Sequence, residues 1–174
     1  MPNGLPPIDA EIPCSSLAIN TPMTVSGVPV SVDFRGGRKY RVETNPGDES
    51  SVRMRIVGHK MYTGEPSAEK HDFYFEQNDV DVDSPSILRM TQRFPPRYEF
   101  REVTSFTMTI DRPEDDEPIV LTTKDPMVLI GQLTQFPPRG DLFQLEKPVE
   151  LVTEDDPTKV VAVIEKFPVK IGGL

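Results

Sequence analysis

At 174 residues the chain has room for one domain with a substantial core and not for two. A net charge of -9 excludes general nucleic-acid binding and attachment to an anionic membrane, since both need basic residues to neutralise phosphate. A single cysteine, Cys14, excludes an internal disulfide and a thiolate metal cluster, and 19 prolines with 11 glycines suit many short strands joined by turns.

Residues 1–13, MPNGLPPIDAEIP, carry four prolines and no periodic pattern and read as an extended proline-rich arm. Residues 14–174 then form a single β-sandwich domain. The arm lacks the basic start and apolar run of a signal peptide, and no later stretch reaches spanning length. A cytoplasmic location is therefore expected, with release by another route left open. Cys14, in IPCSSLA, has no histidine beside it and reads as a small buried residue.

Beyond the arm the period is two. Val28, Val30, Val32 and Phe34 alternate with polar residues, as do Tyr40 and Val42 beyond Gly36-Gly37. The glycine pair marks a turn. Keeping both apolar sets on one face requires a three-residue loop or a bulge, which sets Phe34 opposite Tyr40 and Asp33 opposite Arg41. SVRMRIV points Val52, Met54 and Ile56 inward. His59 and His71 are flanked by lysines with no third ligand at a metal spacing, and read as hydrogen-bonded structural residues. GEPSAEKHDF holds one helical turn at most.

In EQNDVDVDSPS, a strand would place Asp79, Asp81 and Asp83 on one face, about 7 Å apart. Such carboxylates repel, and calcium, which takes several oxygen ligands, would relieve them. The run lacks the glycine and distal glutamate of a helix-loop-helix calcium loop. A charged edge strand is the preferred reading, with calcium at Asp79, Asp81 and Asp83 the alternative. No other cofactor is expected.

One phrase recurs. DVDSPSILRMTQRFPPR, TTKDPMVLIGQLTQFPPR and TEDDPTKVVAVIEKFPVK each run acidic cluster, proline, strand, Phe-Pro. Proline lacks the amide hydrogen a ladder needs, so each copy is a strand stopped at both ends. Phe94, Phe136 and Phe167 are expected in the core, with Arg97 and Arg139 outward. The additional Arg93 in the first copy predicts a bulge. Continuing the even phase of Tyr98 and Phe100 puts Glu102 and Thr104 on an apolar face, unless a bulge near 101–103 returns Glu102 to solvent.

The fold expected from these patterns is all-β, an antiparallel two-sheet β-sandwich of jelly-roll or immunoglobulin-like type, with a partly closed barrel as the alternative. No nucleophile elbow or phosphate-binding glycine loop is present, and Glu102 is the one catalytic candidate, so a non-enzymatic protein is expected. Basic residues dominate 33–60 and acids dominate 61–87, an arrangement suited to contact between identical subunits. The leading functional expectation is a structural or protein-interaction subunit that self-associates through its arm and sheet edges. The alternative is a sandwich or barrel binding a small ligand, apolar or, less favoured without tryptophan, a carbohydrate.

Overall fold

The computed structural model describes residues 4–64, 72–78, 85–113 and 116–174. Its strands are β1 Glu11–Val25, β2 Val28–Thr44, β3 Ser51–Tyr62, β4 Phe73–Gln77, β5 Ile87–Gln92, β6 Arg97–Thr104, β7 Phe106–Ile110, β8 Ile119–Thr123, β9 Met127–Leu133, β10 Arg139–Leu145, β11 Val149–Val152, β12 Val160–Ile164 and β13 Val169–Gly173. There is no α-helix among the described residues, and no helix is long and apolar enough to cross a membrane.

The class is all-β and antiparallel, as the period of two implies. The two expected sheets are replaced by one sheet of 13 strands, ordered β12-β11-β8-β7-β4-β3-β2-β1-β13-β10-β9-β6-β5. Two further pairings, β12 with β1 and β5 with β3, bring the ends back to the middle. The first circuit of hydrogen-bonded neighbours runs β1-β2-β3-β4-β7-β8-β11-β12 and returns to β1. The second runs β1-β2-β3-β5-β6-β9-β10-β13 and also returns to β1. Every described strand thus has a neighbour on both sides, which satisfies the backbone groups that a sheet edge would expose.

The long strands β1, β2 and β3 serve both circuits. The expected hairpin at Gly36-Gly37 does not form; β2 runs unbroken for 17 residues, with its even positions inward from Val32 to Val42. Asp33 consequently does not face Arg41, which pairs with Glu11 on one side and Arg55 on the other. Gly36 is required because a Cβ there would lie 2.0 Å from the Lys60 carbonyl oxygen. The strands on either side of β2 each change phase. In β1 the register shifts between Ala18 and Thr21, around Asn20 at φ 55°, a left-handed conformation that asparagine tolerates. In β3 the shift leaves Val57 unmatched between Ile56 and Gly58.

Each circuit encloses its own aromatic cluster. In the first, Phe34, Phe73, Phe75, Phe106 and Phe167 pack with ring centroids 4.4–6.3 Å apart. In the second, Tyr40, Phe100, Phe136 and Phe143 lie 5.3–6.2 Å apart. Such pairs add about 0.5–1.5 kcal/mol each beyond the area they bury.

The residues expected to form an extended arm include the start of β1 at Glu11. Asp9 N–H donates to Val42 O at 2.8 Å, Val42 N–H donates to Ala10 O at 2.9 Å, and Tyr98 Oη donates to Gly4 O at 2.5 Å. Leu5 joins the core. The arm therefore has a seat on its own domain.

The repeated Phe-Pro phrase splits. Phe136 and Phe167 are buried as expected, whereas Phe94 is 91% exposed. The bulge expected from Arg93 is present two residues earlier, at Thr91, where the β5–β6 register shifts between Met90 and Gln92, and Phe94 falls in the exposed turn at 93–96. Arg97 and Arg139 point outward. Phe136→Ala should therefore lower unfolding free energy by about 3–5 kcal/mol, while Phe94→Ala should change it by less than about 0.5 kcal/mol, read from urea midpoints.

Candidate functional site

The three shared strands, together with β6, place polar side chains where the circuits meet. Arg38 of β2 and Glu102 of β6 form an ion pair between Nη1 and Oε1, with both side chains fully buried. Arg38 Nε donates to Ser16 Oγ of β1 at 2.9 Å, and its Nη2 lies 4.0 Å from Met61 Sδ. Tyr40 Oη donates to the other carboxylate oxygen of Glu102 at 3.2 Å. Burial drives the Tyr40 phenol well above its ordinary value, and the neighbouring Glu102 charge adds to it. Burial opposes the Arg38 charge, but Glu102 and Tyr40 outweigh it and raise its pKa. Cys14 lies close enough to feel both charges, and burial pushes its thiol up to about 11, so it is not a thiolate nucleophile near neutral pH.

His59 completes the layer. It is the cross-strand partner of Arg38, and the Val57 irregularity turns it inward. It packs edge-on against Phe75 at 5.3 Å, and neither ring nitrogen has a hydrogen-bond partner among the described residues. The Thr104 hydroxyl, two residues beyond Glu102 on the same strand, is also unpartnered. The expectation of a hydrogen-bonded structural histidine is thus corrected at His59. Burial, aided by the Arg38 charge, holds its pKa well below the ordinary value.

The bulge that would have moved Glu102 to solvent is absent. β6 pairs with β9 without interruption from Tyr98 to Thr104, and Glu102 is 0% exposed. Sequence reasoning missed Arg38 and Ser16. The signal for Arg38 was its even position between Phe34 and Tyr40, masked by reading Gly36-Gly37 as a turn. Asp79, Asp81, Asp83 and His71 lie outside the described residues. Among the described residues no group of three or more His, Cys, Asp or Glu is placed to hold a metal ion.

A second feature lies between the N-terminal segment and the β2–β3 connection. Leu5, Pro6, Pro7 and Ile8 of the arm face the segment from Thr44 to Val52 across a cleft of about 890 Å³. Its apolar wall is continuous with the interior, because Leu5 and Val52 both belong to the core. Asp48 anchors the opposite wall: its carboxylate accepts hydrogen bonds from the Ser50 N–H and hydroxyl and pairs with Arg89. The volume falls within the range of small-molecule pockets, about 300–1,000 Å³.

No family model and no curated protein matches the chain. Among solved structures it resembles that of DynF from the dynemicin biosynthesis pathway of Micromonospora chersina. The two superpose with a TM-score of 0.72 at 19% identity, over 98% of this chain and 83% of that one. At that identity the likeness is one of fold.

The depressed pKa of His59 has a consequence for stability. The folded state holds the imidazole neutral, whereas the unfolded chain binds a proton near pH 6.5. Below that value the unfolded state binds more protons, so stability is full above about pH 6.5 and falls as pH drops toward the folded-state pKa. His59→Met should flatten the loss of urea midpoint between about pH 7 and pH 5; equal slopes in the two proteins would contradict the assignment.

Proposed function

We propose that the protein is a non-enzymatic small-molecule-binding subunit, its circuits forming a barrel-like body whose apolar ligand is taken up in the cleft between the N-terminal arm and the β2–β3 turn. The observation that carries this reading is the cleft itself: a space of ligand size whose apolar wall, Leu5 to Ile8, runs into the core. An apolar molecule seated there removes surface of its own and of the arm from water, worth about 25 cal/mol per Å² before the cost of association. The non-enzymatic part rests on the state of the one catalytic candidate. Glu102 is sealed from solvent with both oxygens engaged by Arg38 and Tyr40, so no substrate proton has a route to it. The likeness to a protein of a biosynthetic pathway agrees with a small-molecule setting.

The test uses N-phenyl-1-naphthylamine, a neutral apolar fluorophore. Its emission should rise and shift to the blue with the full chain, and Ile8→Asp should weaken binding at least several-fold. Ile8 is exposed, so melting should be unchanged. Val160→Asp, an exposed apolar position on β12 outside the cleft, should leave binding intact. No enhancement, or equal loss in both variants, would remove the reading.

A second reading, a subunit that pairs with copies of itself, is favoured by Phe94. An aromatic ring 91% exposed on a proline-flanked turn is the type of side chain that anchors interfaces, while its counterpart Phe136 is 5% exposed. Light scattering at micromolar concentration should then give a dimer mass for the natural chain and a monomer mass for Phe94→Ala. A monomeric natural chain would discard this reading and leave the first untouched.

A further inference from the structure

The tip of the β5–β6 hairpin stands beside the arm cleft. β5 is held to the loop before β3 by the Met90 N–H, which donates to Ser50 O at 2.8 Å, and by the ion pair of Arg89 with Asp48. β6 is held to the start of the arm by the Tyr98 hydroxyl on Gly4 O. The turn at 93–96 closes the hairpin, and its Arg93 borders a recess of about 410 Å³ with Gly47, Asp48, Glu49 and Ser50. Gly47, Asp48 and Glu49 also wall the arm cleft, so recess and cleft adjoin.

A projection and a hollow thus share one patch. Phe94, next to Arg93, is 91% exposed, so its ring does not fill the hollow on its own chain. The wall of the cleft is apolar, and its Ile8 is 47% exposed. Ring and hollow lie side by side within one molecule, but a two-fold axis can bring each ring to the other's hollow. An isologous contact sets one patch against its own copy, and that needs both features on the same patch. The charges at the rim suit the same operation. Glu49 and Arg93 have opposite sign, and neither forms an ion pair among the described residues. Across a two-fold axis each can face its opposite on the partner, which fixes register more than affinity.

We propose that the arm cleft is the seat of Phe94 from a second copy of this chain, the two copies exchanging rings about a two-fold axis. The proposal rests on the self-pairing reading above and adds to it the surface that the ring enters. A second copy is favoured over an unrelated partner because both halves of the contact lie on this one patch. The exchange also makes the ring and a small apolar ligand exclusive. A molecule against Leu5 and Ile8 takes the surface that the ring would cover, so ligand binding opens the pair and pairing expels the ligand to the same degree.

Light scattering on the full chain over a range of concentrations reads the exchange. Phe94→Ala and Ile8→Asp should each weaken dimerisation at least about tenfold with far-ultraviolet circular dichroism unchanged, whereas Val160→Asp should not weaken it. An equimolar mixture of the Phe94→Ala and Ile8→Asp chains keeps one of the two contacts: Phe94 of the Ile8→Asp chain meets the intact cleft of the other. The mixture should hold more dimer than either variant alone at the same total concentration. N-phenyl-1-naphthylamine should shift the natural chain toward monomer, and Phe94→Ala should bind it more tightly than the natural chain does. Loss of the dimer in Phe94→Ala but not in Ile8→Asp would overturn the exchange and leave self-pairing through Phe94 standing. A mixture no better than its components, or a dimer that persists with the fluorophore bound, would do the same. A natural chain that is monomeric at micromolar concentration would remove both.

Discussion

A guanidinium and a carboxylate taken wholly out of water cost several kcal/mol each, and only close pairing with satisfied hydrogen bonds offsets that cost. Arg38 and Glu102 meet the condition together with Ser16 and Tyr40. Removing one partner from such a pair costs about 3–5 kcal/mol, because the other charge is left stranded. The pair therefore fixes β6 against β2 in one register. That register sits where the chain passes from one circuit to the other: β6 ends at Thr104, β7 begins at Phe106, and the two lie in different circuits. The phase changes in β1 and β3 occur in the same region, as does the close approach at Gly36. A polar layer between two aromatic clusters gives the core a directional interaction that ring packing alone lacks.

The phase changes decide what could be read from the sequence. Val52, Met54 and Ile56 alternate as a half-buried strand should, and their inward facing is plain. One unmatched residue, Val57, reverses the parity, so His59 and Met61 turn inward where the even phase would have placed Gly58 and Lys60. β1 was less legible still. Cys14, Ser16 and Ala18 face the core while Leu17 and Ile19 face solvent, the opposite of what hydropathy assigns. The core tolerates small residues there because Arg38 reaches across to Ser16. A local pattern cannot contain a partner supplied by another strand.

Glu102 shows the same limit from the other side. Parity alone placed it on the buried face, and the alternative was a bulge near 101–103 that would return it to solvent. The missing term was Arg38, 64 residues away in sequence, itself hidden by reading Gly36-Gly37 as a turn. The Phe-Pro phrases carry the complementary lesson. Nearly identical words put Phe136 in the core and Phe94 in water, because one additional residue before Phe94 shifts the register of β5 against β6. Burial of these rings is set by the neighbouring ladder and not by the phrase.

Closure of the ladder also constrains how this protein meets anything else. Addition of a partner strand needs a row of unpaired N–H and C=O groups, and each described strand already has a neighbour on both sides. An arm docking on a neighbour's open edge, the mechanism suggested by composition, has no such edge among the described strands, and its own residues bond to Val42 and Tyr98 of the same chain. Recognition of a partner would then fall to side chains, among them those of the proposed arm cleft and Phe94. Ile8 and Phe94 are exposed, whereas the Arg38–Glu102 pair is fully buried. Substitution of exposed side chains such as Ile8 and Phe94 is expected to leave stability nearly unchanged, so binding there is separable from folding.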